Sequence, residues 1–568
     1  MPLNKSAGVY ITENDVSIYS NGNEPVGAAL ITPTVKGRSF VPTIVTSFDQ
    51  YLKIFGSSYR SGSDNYEYLG SIAAREYFSN GGDSLLVTKI STGSYSPAST
   101  NIISGSTTLF TLETLSDGLI MNNSGSEIAL SSGSLVSGSV DNIRWEISGV
   151  NASRGTFDVV VRRGDDSNNR KIVLESFTQC SLDPNSTNYI ANKIGDEVYV
   201  YDATNAQLST SGSYKLKSDY VRVKSVNVKM YDMLNPDGTL KTIYTGSLPV
   251  SGTSGSFSGA SDGALLHPQK FFHEISGTNS QGFAASTTAY TTAINLLSNT
   301  DEYDFDVLFL PAITAESHPV TVQAALAMCE ARGDAMAIID PVLYGSGQGA
   351  AISQASGYNS SYGAMYYPWV QIKSPSSSKV TWCPPSTVIA GVLAFNDSVG
   401  EHYSAPAGLN RGGLPNVIKA EVKLSKANRD SLYDGNVNPI ASFPNSGVIT
   451  WGQKTLQFRQ TALDRINVRR LMSKAKKFVK QEGNKLLFEA NTQVTRLKFL
   501  NAVNPYFENI QQKQGLYAFQ VKMDEDLNTN EVIDRNELVG KIVLQPAKTI
   551  EFINIEFGLT PTGVTFFQ

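Results

Sequence analysis

The stretch Gly447–Asn491, GVITWGQKTLQFRQTALDRINVRRLMSKAKKFVKQEGNKLLFEAN, decides how the rest of the chain reads. Its opening apolar run, Val448–Trp451, has the character of a strand. Gly452 marks a turn. A second short alternating run follows, with Ile466 and Val468 on one face and Asn467 on the other. From about Arg470 to Glu482 the period becomes helical. Leu471, Met472, Ala475, Phe478 and Val479 fall on one stripe, and Arg470, Lys474, Lys476, Lys477 and Lys480 cover the opposite face. Gly483 and Asn484 stop the helix.

The wording WGQKTL … INVRRLM … LLFEAN resembles the tail sheath proteins of contractile phages and related injection machines. In that family a strand ends in Trp-Gly-x-Arg-Thr-Leu. A Tyr-Ile-Asn-Val-Arg-Arg-Leu-like segment follows, and then Phe-Glu-Pro-Asn. This chain departs from the pattern at Lys454, where Arg is usual, at Arg465, where an aromatic is common, and at Ala490, where Pro is common.

Outward from that stretch, size and composition narrow the class. The chain has 568 residues, enough for several domains. It is 41% hydrophobic and 17% charged, the balance of an ordered globular protein. With 46 basic and 51 acidic residues its formal charge is −5, so bulk electrostatics do not point to nucleic acid. Cys180, Cys329 and Cys383 are far apart and form no CxxC pair, so neither a zinc site nor a disulfide framework is expected. The start, MPLNKSAGVYITEND, has no apolar core of a secretory signal, and no apolar run is long enough to span a membrane.

Upstream, residues 1–25 read as a strand arm: GVYITENDVSI is a β-type run ended by the turn-rich SNGNEP. From Val26 to Ile90 the pattern is α/β, with strands at Val26–Thr32, Thr43–Val45 and Ser84–Ile90. Helices are expected at Ser47–Phe55, opened by a Ser47/Gln50 capping box, and at Tyr66–Phe78, closed by Asn80-Gly81-Gly82. Residues 91–286 are dense in Ser, Gly, Thr and Asn. Short β-type runs there (Ser106–Leu112, Trp145–Gly149, Thr156–Arg162, Glu197–Asp202, Asp219–Met230) predict one or two inserted all-β domains. The α/β pattern returns at 287–400: strand Asp304–Pro311, helix Pro319–Arg332 and strand Ala335–Asp340 form a βαβ unit and imply a parallel sheet. Residues 401–550 read as an α+β C-terminal domain, with helices at Lys423–Tyr433 and Thr492–Asn504 and strands at Tyr517–Met523 and Lys541–Leu544. Residues 551–568 form a second strand arm, in which Ile553, Ile555 and Phe557 alternate with polar residues before Val564 and Phe566. Such a terminal apolar strand needs something to pair with.

The predicted fold class is thus multidomain α/β and α+β. It comprises α/β segments at 26–90 and 287–400, which the resemblance implies form one discontinuous core, an all-β insert, an α+β C-terminal domain and an extended strand arm at each terminus. The resemblance implies that the core is subtilisin-like in topology and that the insert lies on an outer surface. It also implies that arms carrying Val9, Tyr10, Ile11, Ile553, Ile555, Phe557, Val564 and Phe566 add strands to neighbouring subunits.

Residues with catalytic potential are sparse. His267, His273, His318 and His402 show no metal-ligand spacing. A subtilisin-like sheet invites a search for a Ser-His-Asp set, but no GxSxG elbow exists. GSGQGA at Gly345–Ala350 follows a strand but lacks an evident following helix, so a loop is preferred to a nucleotide site. DEDLNTNEVIDRNE, 524–537, imitates a calcium loop, with Thr529 and Arg535 where Gly and Glu are required.

No enzyme and no cofactor is expected. The resemblance implies a virion tail sheath subunit assembled in the host cytoplasm. Copies would stack as hexameric rings in a helical sleeve, meeting a tail tube, a baseplate and tail terminator proteins, with neither nucleic acid nor membrane as a direct partner. Arg470, Lys474, Lys476, Lys477 and Lys480 would face the tube. The alternatives are the sheath of a non-phage contractile injection system, a degenerate subtilisin-like hydrolase, or an adhesin built on the 91–286 insert.

Overall fold

The computed structural model describes residues 26–61, 64–123, 133–202, 204–244, 246–264, 275–284, 287–374, 379–553 and 555. Val9, Tyr10, Ile11, Phe557, Val564 and Phe566, expected on the arms, lie outside the described residues, as do His267 and His273.

An eight-stranded sheet forms the frame. Its strands are β1 (Val26–Thr32), β2 (Thr43–Val45), β3 (Leu85–Lys89), β4 (Phe305–Thr314), β5 (Met336–Asp340), β6 (Gly363–Tyr367), β7 (Val437–Phe443) and β8 (Gly447–Thr450), in the order β2-β3-β1-β4-β5-β6-β7-β8. The six inner strands run parallel, and β2 and β8 close the edges antiparallel. β1 joins the two separated pieces: Ala28 pairs with Leu85 on one side and Val307 on the other. The 91–286 segment therefore leaves after β3 and returns into β4.

Helices cover both faces, which explains why strands such as LLVTK and MAIID are buried throughout. The sequence supplies them as α1 (Phe48–Phe55), α2 (Leu69–Ser79), α3 (Pro319–Arg332) and α4 (Pro385–Val399). α1, α2 and α4 pack on one face with Tyr51, Phe55, Tyr77 and Ile389. α3 packs on the other with helices Thr287–Leu296 and Gln348–Ala355, through Val322, Leu326, Leu296 and Ala355. Ser47 Oγ caps α1 by accepting from the Gln50 N–H at 3.2 Å, while the Gln50 side chain reaches back to the Thr46 N–H at 2.7 Å. At Gly70 a Cβ would lie 2.3 Å from the Thr32 side chain, so only glycine lets α2 approach β1 this closely.

The insert forms two four-stranded antiparallel sheets. One contains Tyr95–Ser104, Thr107–Asp117 and Val221–Val226; the other contains Ile143–Asn151, Thr156–Arg163 and Val173–Ser181. Their inner faces share one apolar cluster that includes Phe110, Leu112, Ile147, Phe157 and Val159.

The C-terminal unit is built from α5 (Ile466–Asn484), α6 (Gln493–Gln512) and a hairpin of β9 (Leu516–Lys522) and β10 (Lys541–Pro546). Leu471, Phe499, Val503, Phe507 and Leu516 form its core. The whole is a mixed α/β multidomain chain.

Several sequence expectations change. Residues 437–450, assigned with the C-terminal unit, supply β7 and β8 to the core sheet, so the core runs past residue 400. Ile466–Val468 are helical rather than extended. Three alternating residues satisfy either period, and α5 starts here because Arg465 is extended and the Ile466 N–H donates to the Gln453 carbonyl at 2.8 Å. α2 starts at Leu69 instead of Tyr66 because Asp64–Glu67 pair with Ser58–Ser61. α6 continues past Asn504 through Pro505: Phe499, Val503, Phe507 and Ile510 keep helical spacing into the core, which outweighs one lost backbone bond.

Candidate subunit interface

Two features in the C-terminal part of the described residues face outward. The first is the β9–β10 hairpin. Phe519 pairs with Leu544 and Val521 with Ile542, and these four pack toward α6. Tyr517 and Val543 point outward and are exposed. Among the described residues no further strand pairs with either outer edge. A lone hairpin is marginal in water, and its open edges are templates for added strands.

The second is the segment that follows. Ile550, Phe552, Ile553 and Ile555 are 83%, 76%, 75% and 70% exposed. Within this run of exposed apolar side chains one residue turns inward. Glu551 accepts from Arg465 Nε at 2.7 Å and Nη2 at 2.8 Å, from Tyr433 Oη at 2.8 Å and from Gln453 Nε2 at 3.2 Å. Thr549 Oγ1 accepts from Gln453 Nε2 at 2.7 Å. Burial pushes the Glu551 carboxyl up, yet the Arg465 and Tyr433 bonds hold it below the usual range. The apolar stretch is therefore tied at Glu551, while Ile550, Phe552, Ile553 and Ile555 around it stay exposed. Ile553 and Ile555, expected on a strand arm, are exposed and belong to no strand. Glu551, Gln453 and Tyr433 escaped the sequence reading. The one available signal was Arg465, a cation where an aromatic is common, because a half-buried guanidinium has to find a carboxylate.

The basic face of α5 is placed differently from the expectation. Its charges point at acids of this same chain, at the end of β4 and of α4. Arg470 is buried and pairs with Asp397 at 2.5 Å. Lys477 reaches Asp304 at 2.5 Å and Asp306 at 2.7 Å, and Lys474 reaches Asp306 at 3.0 Å. Lys476 Nζ lies 3.1 Å from Tyr362 Oη, and Lys480 Nζ 3.2 Å from Thr300 Oγ1; both remain exposed. Burial pushes the Asp306 carboxyl up, but Lys477 and Lys474 together hold it below its ordinary value. Arg470, Lys474 and Lys477 thus bind the C-terminal unit to the core and are not free cations. Helical spacing identified the face correctly but carries no information about which element packs against it.

The core resembles a sheet with catalytic potential only until distances are read. Asp340, at the end of β5, accepts from the Ser386 N–H at 2.8 Å and from Ser386 Oγ at 2.6 Å, capping the start of α4. Ser386 and Asp340 are fully buried. His318 Nδ1 accepts from the Thr314 N–H at 3.3 Å and stands in no relay with either. A serine bonded directly to the carboxylate, with no imidazole between them, does not form the Ser-His-Asp relay of a hydrolase triad. The GSGQGA loop does lead into a helix, Gln348–Ala355, contrary to expectation. However, the Gly345 N–H donates to Glu421 and the Leu343 N–H to Glu316, carboxylates that would repel a phosphate. In the 524–537 loop Asn528 bridges the Asp524 carbonyl and Val539. No metal-binding group of His, Cys, Asp and Glu occurs among the described residues, and no helix is long and apolar enough to cross a membrane.

Burial pushes the Asp340 carboxyl up to about 7. The folded chain then keeps a proton that the unfolded chain releases near pH 3.9, so stability falls as pH rises between about 4 and 7. Asp340→Asn removes this dependence while retaining one acceptor. Its stability, followed by thermal unfolding, is expected to lie at or below the parent's at pH 4.5 and to gain on it steadily to pH 7.5, by at most about 4 kcal/mol. Parallel pH profiles would show that Asp340 is ionised throughout.

Comparison with known proteins bears on the same elements. Residues 284–456 match the phage tail sheath protein central domain, and 459–560 the phage tail sheath C-terminal domain. The tail sheath protein of Vibrio phage KVP40 is 41% identical over 185 residues, covering 33% of this chain and 28% of that protein. The tail sheath protein of Enterobacteria phage T4 is 37% identical over 185 residues, with the same two coverages. This chain therefore spans under a third of either relative. The sheath tail protein of Listeria innocua shares the fold with a TM-score of 0.54 at 10% identity, over 92% of this chain and 95% of that one.

Proposed function

We propose that this chain, which carries the central and C-terminal domains of the phage tail sheath family, is a structural subunit of a contractile tail sheath. Copies polymerise as a helical sleeve around a tail tube, and its contraction drives the tube through a target cell envelope. The observation that carries this reading is the pairing of a donor and an acceptor on one chain. An exposed apolar segment is tied at Glu551, and among the described residues no further strand pairs with the outer edges of the β9–β10 hairpin. A strand that leaves one subunit and joins the hairpin of the next is a head-to-tail contact, which propagates an open helix instead of closing a dimer.

Main-chain pairing keeps neighbours linked while their bodies slide, so the sleeve can shorten without falling apart. The extended sleeve would be a kinetically held store released from the baseplate end. The reading includes a subtilisin-like core topology, an insert on the outer surface, stacked hexameric rings, baseplate and terminator proteins as partners, and assembly in the host cytoplasm. We also propose that the tube meets the end of α5 and the turn after it. There Lys476 and Lys480 stay exposed, and Leu487 and Phe488 project into solvent.

Electron microscopy of the purified full chain tests the main reading: long striated tubes are expected, and monodisperse monomers in every condition would refute it. The tube surface has its own test. Reversing Lys476 and Lys480 to Glu should leave the thermal midpoint within about 2 °C, because exposed pairs contribute only about 0–1 kcal/mol each. Assembly templated by added tube should fall several-fold. Unchanged templating would remove these residues from the tube contact.

A further inference from the structure

A cleft of about 340 Å³ separates the core from the inserted sheets. Its core side is the turn 38–41 between β1 and β2. Its insert side is Tyr95, together with Tyr199 and Tyr201, two residues apart on the strand Val198–Asp202 and therefore on one face. The Phe40 ring ties the two sides together, 6.1 Å from Tyr95 and 6.5 Å from Tyr201 between centroids.

The charges around the cleft sort into engaged and unengaged groups. Glu113 pairs with Arg222 and with Lys224, the latter at 2.7 Å. Asp117 accepts from the Ser39 N–H at 2.9 Å. Arg38 has no such partner: its guanidinium lies over the Tyr199 ring, 5.5 Å from the centroid, with no ion pair or hydrogen bond to the described residues. Burial pulls its pKa down, against the pull of Tyr199, Glu197, Asp219 and Asp117. The hydroxyls of Tyr95, Tyr199 and Tyr201 likewise have no hydrogen-bond partner among the described residues. A partly desolvated guanidinium, aromatic faces and free phenols converge on one concave space of ligand size.

We propose that this cleft binds an acidic saccharide, a sugar ring bearing a carboxylate. The guanidinium fork fits a planar carboxylate through two parallel bonds and binds it more strongly once water is excluded. The C–H face of a pyranose is apolar and lies flat on an aromatic ring, while its hydroxyls exchange bonds with phenols and with Glu197 at the rim. A neutral sugar would leave the half-buried cation unmatched, and a simple anion would leave the rings bare. The proposal does not depend on the sheath reading, since it concerns one chain.

Titration of the full-length chain with trigalacturonate and with its methyl ester, followed by saturation-transfer NMR and calorimetry, tests it. The acid should bind saturably and at least about tenfold more tightly than the ester. Arg38→Gln should abolish that preference, leaving acid and ester equal, and Tyr199→Ala should weaken both; thermal midpoints near the parent's show that both variants fold. No saturable binding of the acid at about 10 mM overturns the proposal. So does a preference for acid over ester that survives Arg38→Gln, or tighter binding of a short peptide with a free C-terminal carboxylate, which would mark a peptide site.

Discussion

A chain cut after Lys548 is expected to stay folded and to form no striated tube. Of the described apolar residues that the cut removes, Ile550, Phe552, Ile553 and Ile555, none is buried in its own subunit, so the described core keeps its packing. Among the described residues the hydrogen bonds lost are those of Glu551 and Thr549. Arg465 retains Asp464 at 2.9 Å, so the cost is about 1–3 kcal/mol and a few degrees of thermal midpoint. Assembly, by contrast, should be lost outright, because each missing strand removes a whole ladder of main-chain hydrogen bonds between neighbours and leaves the β9–β10 edges unpaired. The point variant Glu551→Ala separates tether from strand. It keeps the apolar residues but frees their root, so tubes should form more slowly and at higher concentration, with normal geometry. Electron microscopy and sedimentation read both outcomes. Normal tubes from the truncated chain would end the strand-exchange account.

The second large effect concerns the seam between α5 and the core. Asp306 lies between Lys474 and Lys477, with Asp304 on the far side of Lys477. Asp306→Ala would leave the largely buried Lys477 ammonium with one carboxylate where it had two, and Lys477→Glu would set a third carboxylate against Asp304 and Asp306. Removing one partner of a buried network costs about 3–5 kcal/mol, because the remaining charge stays desolvated. In a chain of this size the first calorimetric transition should fall by roughly 10 °C or more, as the C-terminal unit parts from the sheet. Lys480→Glu, an exposed residue 3.8 Å from an exposed Asp301, is the control and should change little. The pH dependence has a definite sign. Asp306 is held below its ordinary pKa, so its contribution is present above about pH 4 and disappears as pH falls through the folded value. Equal midpoints for Lys477→Glu and Lys480→Glu would mean that the seam contributes nothing.

These two predictions bear on the same C-terminal unit, and the sequence served them unequally. The apolar alternation of Ile553 and Ile555 is local, and an apolar strand without a partner can be recognised from its own residues. The basic stripe on α5 is equally local, but its use is not. Lys477 meets Asp306 across 171 positions, a separation that no spacing rule reaches.

Local periodicity and capping chemistry were enough to determine the α/β alternation of the core, the Ser47 cap and the β-rich insert, because each depends on residues within a turn or two of one another. Tertiary structure decided that β7 and β8 complete the core sheet, that α5 faces its own acids, that Asp340 caps α4 and that Glu551 ties down the tail. It also decided that Arg38 meets Tyr199 in a cleft between two units. In each case a charge or an unpaired edge is visible in the chain, while the group that answers it is brought near only by folding.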